Sequence, residues 1–337
     1  MEIKSNAGLF VAGLALAACT VNTSGNVVGQ TCSPLSATTP AQSALESSFQ
    51  GTVFTIVLEN KSRSQLLNSA DAKYFQSLVA QGALAKGYSD ALVHPSEPNY
   101  IWMVSGQNFG ILDDDEPTAH HLATTSHLAD QIEKVGKTWK TYQESMGEPC
   151  QVVSHGLYAV KPNPFVSFDD IVGWDGTNFT RQQRCLDHVV DYSQFDADLA
   201  ADKVPDYVFI TPNMINDMHD GSIADGDKWL STEVPKILSS PAYLNGGVLF
   251  ITADEGKGRS ATDWTQDDDP PFLALSPLAK AGYVSDAPYD TTSYLKTVQA
   301  ILGVDPLPCG DAQDVSAAVT MDDLFSARMP AAASTMP

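Results

Sequence analysis

Three apolar runs of this chain each end on polar residues that bind cations. Thr52-Val53-Phe54-Thr55-Ile56-Val57-Leu58 runs into Glu59-Asn60. Tyr207-Val208-Phe209-Ile210 passes through Thr211-Pro212-Asn213 to Asn216-Asp217-Met218-His219-Asp220, and Val248-Leu249-Phe250-Ile251-Thr252 leads to Asp254-Glu255. Short β-branched runs of this kind read as strands buried on both faces, the signature of a parallel sheet. Helical periodicity lies between them. Tyr74, Phe75, Leu78 and Val79 predict a helix over Asp71 to Gln81. Thr125 or Ser126 is placed to cap a helix holding Leu128, Ile132 and Val135, and Lys137 to Tyr142 fits a strand. Asp227 to Ser239 reads as a helix in which Pro235 is expected to kink or interrupt the turn. Phe272 to Ser276 is a short strand, and Asp290 to Leu302 a last amphipathic helix. This alternation predicts an α/β fold with a mainly parallel sheet flanked by helices. Such sheets bind ligands beyond the carboxyl ends of their strands. There the three clusters would meet, and their carboxylates would repel unless a cation stood among them. A metal-dependent enzyme follows as the leading reading.

The chain of 337 residues is long enough for an ample core, and 43% of it is hydrophobic. A formal charge of −22 argues against a nucleic-acid backbone as partner. A phosphate-bearing small substrate stays compatible with that charge if a bound cation supplies local positive potential. At the N-terminus, Lys4 precedes an apolar stretch from Ala7 to Leu16 that is too short to span a bilayer. Leu16-Ala17-Ala18-Cys19 resembles the lipobox of bacterial lipoproteins. That resemblance implies a signal peptide over 1–18, cleavage before Cys19, and a membrane anchor through the lipidated cysteine. An ordinary secretory signal or an uncleaved anchor are the alternatives. Residues 19–49 are poor in charge and rich in Ser, Thr, Ala, Gly and Asn, as in a flexible tether. The catalytic domain is expected over 50–327, followed by a loose tail over 328–337. Export places Cys32, Cys150, Cys185 and Cys309 in an oxidising compartment. Four cysteines permit three pairings. Proximity and the joining of the two ends favour Cys150–Cys185 with Cys32–Cys309, and no Cys-x-x-Cys spacing supports a thiolate metal site.

One further segment carries chemistry. In His94-Pro95-Ser96-Glu97-Pro98-Asn99-Tyr100, Ser96 is placed to act as a helix N-cap, with Pro98 early in the helix and Gly106 at its end. A helix N-terminus also offers free N–H groups to a phosphoryl oxygen. A metal nearby would make the serine a nucleophile. From this segment alone, a cap is the simpler reading.

Five stretches taken in order change that balance. Glu59-Asn60-Lys61-Ser62, His94-Pro95-Ser96-x-Pro98-Asn99-Tyr100, Asn163-Pro164-Phe165-Val166-Ser167-Phe168, Pro212-Asn213-x-x-Asn216-Asp217-Met218-His219-Asp220-Gly221-Ser222-Ile223-Ala224 and Asp254-Glu255-Gly256 resemble one family across nearly all of residues 52 to 303. It is the phosphoesterase family of bacterial acid phosphatases, phosphatidylinositol-3-phosphatase-like enzymes and phospholipases C. The resemblance implies an alkaline-phosphatase-like fold and a divalent metal, whether Ca, Mg, Mn, Zn or Fe. It makes Glu59, Asn60, Asp254 and Glu255 the metal ligands and Ser96 the nucleophile. It also implies that Asn99 and His219 bind phosphate or transfer a proton, with Asn213 and Asp217 in the same shell. Hard oxygen donors suit such a cation, and histidine is the side chain that ordinarily exchanges a proton near neutral pH.

Two departures from the family pattern stand out. Lys161-Pro162-Asn163 replaces Lys-His-Asn, and Asp267-Asp268-Asp269-Pro270-Pro271 stands where many relatives place a histidine. Lys161 reads as a surface lysine, with compensation for the lost histidine as the alternative. His120, His121 and His127 read as polar loop residues, and Asp113-Asp114-Asp115-Glu116 as a solvated acidic loop without EF-hand spacing. The expected activity is hydrolysis of phosphate monoesters, on a phosphorylated small molecule or lipid headgroup, by an extracytoplasmic lipoprotein. A phospholipase C-type diesterase and a catalytically weak surface-binding lipoprotein are the rivals. The oligomeric state is left open.

Overall fold

The computed structural model describes Leu45 and residues 48–256, 268–307, 315 and 318–326. Cys19, Cys32, Cys309, Trp264 and Asp267 lie outside these residues, so neither the lipid anchor nor the second disulfide is addressed by them. The strands are β1 (Val53–Leu58), β2 (Ala83–Ala85), β3 (Trp139–Gln143), β4 (Val189–Asp191), β5 (Tyr207–Thr211), β6 (Val248–Ala253), β7 (Phe272–Leu275) and β8 (Tyr283–Ser285). The helices are α1 (Arg63–Asn68), α2 (Lys73–Val79), α3 (Ser96–Ser105), α4 (Leu128–Lys134), α5 (Asp169–Val172), α6 (Gln183–His188), α7 (Phe195–Ala200), α8 (Ile223–Leu238), α9 (Pro241–Leu244) and α10 (Thr291–Leu302).

The strands form one sheet in the order β4-β3-β5-β1-β6-β7-β2-β8. β1 pairs parallel with β5 and with β6, its Val53–Leu58 matching Val248–Ala253 residue for residue. β7 runs antiparallel to both its neighbours, β6 and β2. The sheet is therefore mainly parallel, as the pattern predicted, and the exception falls on Phe272–Leu275, whose direction no apolar run can encode.

Alternate residues of each strand feed opposite cores. Val53, Val57, Phe209 and Phe250 pack with Tyr100 and Val104 of α3, Leu128 and Ile132 of α4, and Leu295 and Val298 of α10. Phe54, Ile56, Val208, Ile210, Leu249 and Ile251 pack with Phe75 and Leu78 of α2 and Trp229, Leu230 and Val234 of α8. A buried chain of hydroxyls pins α10 to the sheet: Thr55 Oγ1 lies 2.9 Å from Tyr294 Oη, which lies 3.0 Å from Tyr207 Oη.

Several element ends differ from expectation. α8 starts at Ile223, four residues early, because Ser222 and Asp225 close a reciprocal capping box. Pro235 does not end it; the helix runs on to Leu238, because the missing N–H falls only one turn from the C-terminus. Asp227, read as that helix's start, instead accepts from Tyr74 N and Phe75 N at 2.9 and 2.8 Å and so caps α2. His127, not Thr125 or Ser126, caps α4, and it also lies 3.0 Å from Asp170 through Nε2. Cys150 and Cys185 form a disulfide, as their proximity suggested.

Every residue of α3 is buried. Gly106 ends it at φ +76°, a left-handed turn in which a Cβ would also meet Val315 at 2.4 Å. The other end of α3 delivers Ser96 to the carboxyl edge of the central strands.

Candidate active site

The adjacency β5-β1-β6 places Glu59-Asn60, the 213–219 loop and Asp254-Glu255 side by side, and α3 presents Ser96 to them. Ser96 Oγ lies 3.0 Å from Glu59 Oε2 and 3.3 Å from Asn60 Oδ1. Asn60, held at φ +47°, turns its own N–H onto Asp254 Oδ1 at 3.0 Å. Glu59 N–H donates to the Asp217 carbonyl at 2.8 Å, and His219 N–H to Asp217 Oδ1 at 2.7 Å. Four of the segments named from the sequence thus converge on one hydroxyl. Ser96 is the first residue of α3 rather than its cap; Pro95 occupies the capping position and has no side chain to accept.

The electrostatics of this cluster are unfavourable as it stands. Glu59, Asp217 and Asp254 are fully buried, and each keeps one oxygen (Oε1, Oδ2 and Oδ2) without a hydrogen-bond partner. Tyr100 Oη, buried without a well-formed hydrogen bond, faces Glu59. Burial raises the Glu59 pKa, and the charges of Lys161 and His219 offset it only in part. Burial, then the charge of Glu59, pushes Asp217 up to about 8. Burial, then Glu59 and Glu255, holds Asp254 well above the usual carboxylate range. Buried carboxylates with unused oxygens are costly unless something positive faces them. As a donor set, carboxylate and amide oxygens match a hard divalent cation.

The remaining expected residues divide. Glu255 faces His94 Nδ1 through Oε2, and the same oxygen lies 3.4 Å from Asn99 Nδ2. Asn99 Nδ2 also donates to the Val93 carbonyl at 2.7 Å, so its amide clamps the loop before Ser96 beside Glu255. Asn213 is likewise committed to its own loop. Its Oδ1 accepts from Ile215 N and Asn216 N at 3.1 Å, and its Nδ2 reaches Ser145 Oγ at 3.1 Å. Both asparagines thus hold loops of the site in place, while Asn99 Oδ1 stays buried without a hydrogen-bond partner. His219 Nδ1 lies 2.9 Å from Asp220, and its ring is partly exposed.

Three residues of the site escaped the sequence reading. His94 stands in a motif that assigns it no role, yet its Nδ1 faces Glu255. Lys61 Nζ donates to the Met218 carbonyl at 2.8 Å, among the charges of Asp217, Glu59 and Asp254. Lys161 corrects an expectation: it is not a surface lysine. Its side chain is 15% exposed and its Nζ lies 3.9 Å from Glu59 Oε2. Linear distance concealed it, since about a hundred residues separate it from Glu59 and no strand signal surrounds it.

The three histidines read as loop residues are indeed dispersed. His121 stacks on Trp174, His127 pairs with Asp170, and His120 Nδ1 lies 2.8 Å from Glu97 Oε2. His120, Asp113 and Asp115 do bring ligand atoms within 4.8 Å of one another, although both aspartates are exposed.

The fold is that of the alkaline phosphatase superfamily. A member from Vibrio parahaemolyticus superposes with a TM-score of 0.52 over 77% of this chain and 68% of its own, at 12% identity. The chain belongs to the Phosphoesterase family, whose profile matches residues 43–305. It is 31% identical over 210 residues to an acid phosphatase of Aspergillus fumigatus, covering 60% of this chain and 44% of that protein. It is also 31% identical over 210 residues to a phosphatidylinositol-3-phosphatase of Mycobacterium tuberculosis, covering 62% of this chain and 64% of that one. The chain thus spans less than two thirds of the length of these curated relatives.

Proposed function

We propose that this protein hydrolyses phosphate monoesters with the help of a divalent cation, through a phosphoserine formed on Ser96. The observation that carries the reading is Ser96 Oγ, 3.0 Å from Glu59 Oε2, at the start of a helix and among three buried carboxylates with unused oxygens. Names of the relatives, acid phosphatase and phosphatidylinositol-3-phosphatase, support the same reaction class.

Glu59, Asn60, Asp217 and Asp254 would hold the cation, with Glu255 beside them engaged by His94. When bound, it would lower the hydroxyl pKa of Ser96 and offset negative charge on the phosphoryl oxygens. Ser96 passes its proton toward Glu59 and attacks phosphorus in line with the leaving alkoxide. His219, which the 213–219 loop carries to the edge of the site, protonates that alkoxide. The N–H groups opening α3 and the Lys161 ammonium hold equatorial oxygens. Water then cleaves the Ser96 phosphoester and regenerates the hydroxyl. Export and anchoring through a lipidated Cys19, ahead of a tether over 19–49, belong to the same proposal and rest on the sequence pattern alone.

The test is a panel of p-nitrophenyl phosphate and p-nitrophenyl phosphorylcholine, assayed with Ca, Mg, Mn, Zn and Fe. Turnover of the monoester alone supports the proposal. Turnover of the diester alone identifies a phospholipase C-type enzyme, and a folded protein that turns over neither is a binding module.

A further inference from the structure

Two features beside Ser96 that attract an anion are already occupied by an anion of the chain itself. Glu97 N–H, the amide next to Ser96 at the start of α3, donates to Asp114 Oδ1 at 2.9 Å. The other oxygen, Asp114 Oδ2, lies 3.2 Å from Lys161 Nζ. That ammonium is the one 3.9 Å from Glu59 Oε2, which in turn accepts from Ser96. One carboxylate therefore bridges a helix N-terminus and the lysine of the site, one oxygen on each donor. Two oxygens of a phosphoryl group would take the same pair of donors.

The acidic loop reaches this position by a second anchor. Asp113 Oδ1 lies 2.9 Å from His120 Nε2, and His120 Nδ1 lies 2.8 Å from the Glu97 side chain. Glu97 thus holds the loop twice, by its backbone through Asp114 and by its carboxylate through His120. Residues 112–116 are otherwise exposed, so the run can leave the site without unpacking core.

We propose that Asp114 is an internal competitor for phosphate: it occupies the seat of substrate oxygens on Glu97 N–H and Lys161, and it must be displaced before a phosphoryl group reaches Ser96. This rests on the phosphoesterase reading of the same site. In a chain of charge −22, such a carboxylate weakens binding of an anion whose attraction is already limited. Asp114 is a positioning residue and touches no reacting atom. The acidic loop read from the sequence as merely solvated becomes a gate on the site.

The experiment measures the affinity of inorganic phosphate by calorimetry for wild type, Asp114→Asn, Asp114→Ser and Lys161→Met, each saturated with the divalent cation that wild type binds most tightly by titration. Asparagine keeps one acceptor for Glu97 N–H but loses the charge and the second oxygen that accepts from Lys161; serine is a second, smaller acceptor should asparagine perturb folding, which thermal melts report. The expected result is phosphate affinity about tenfold tighter in Asp114→Asn, the worth of one charge-assisted hydrogen bond. KM for p-nitrophenyl phosphate falls in parallel and kcat is retained. Lys161→Met weakens phosphate binding. Unchanged or weaker affinity in both folded Asp114 variants overturns the inference, as does unchanged affinity in Lys161→Met. Turnover by wild type with no such shift sinks this inference alone; a phosphate shift without turnover sinks the catalytic reading and leaves the gate standing.

Discussion

Ser96 Oγ and Glu59 Oε2 sit 3.0 Å apart although 37 positions separate them in the chain. The contact exists because β1 ends where α3 begins, both at the carboxyl edge of the sheet. A hydroxyl beside a buried carboxylate with one unused oxygen is poised to lose its proton. Ser96→Ala is accordingly expected to lower kcat on p-nitrophenyl phosphate by roughly 10⁴-fold or more, with little change in melting temperature. Full activity in that variant would remove Ser96 from the mechanism.

Metal removal should expose the repulsion among Glu59, Asp217 and Asp254. All three have folded-state pKa values raised above their unfolded ones, Asp217 to about 8. The native state then binds more protons than the unfolded chain at intermediate pH. Stability of the chelator-treated protein is present at low pH and lost as pH rises from about 4 through 8. Adding the divalent cation should remove or reverse that slope, because binding displaces the protons. Melting curves across pH, with and without cation, check this; a slope of the same sign and size in both would refute it.

Glu59→Gln separates stability from function at the same position. The amide is nearly isosteric and removes the charge that raises both Asp217 and Asp254. The metal-free variant is expected to melt higher, by roughly 2–4 °C for each kcal/mol of repulsion relieved. It should bind the cation weakly and turn over little substrate. A lower melting temperature would show that Glu59 is stabilising even without metal.

Cys150–Cys185 closes a loop with a sequence separation of 35 residues, running from the loop after β3 to α6. Chain entropy assigns such a bridge about 3–4 kcal/mol. Denaturant titration of Cys185→Ser under non-reducing conditions should show a loss of that order. The site lies on other strands, so the residual folded fraction should keep its KM.

His94 offers a sharper test of positioning. Its Nδ1 engages Glu255, and Asn99 clamps the same loop through the Val93 carbonyl. His94→Ala should free Glu255 and lower the activity by about 10–100-fold, the usual cost of losing a residue that orients a ligand. Cation affinity, read by titration, should weaken with it.

Much of this architecture was legible along the chain. The continuous apolar runs of β1 and β6 and the carboxylates after Leu58 and Ala253 announced a buried parallel core with an acidic edge, because hydrophobic runs and strand ends are local properties. The ordered motifs carried Ser96, Glu59 and Asp254 to one site, and the coordinates place them there. What local pattern does not carry is which atoms a polar side chain spends elsewhere. The resemblance placed Asn213 and Asn99 in the substrate shell, and it could not show that both also hold backbone. Lys161 and Asp114 looked like surface charge, and the fold turns both toward the nucleophile. Composition and periodicity determine which residues are buried and which strand ends are acidic, since these follow from hydrophobic burial one element at a time. Only tertiary packing decides which buried oxygen is left without a partner and which distant charge faces it, because hydrogen bonds and ion pairs are settled over a few ångströms between segments that the chain keeps far apart.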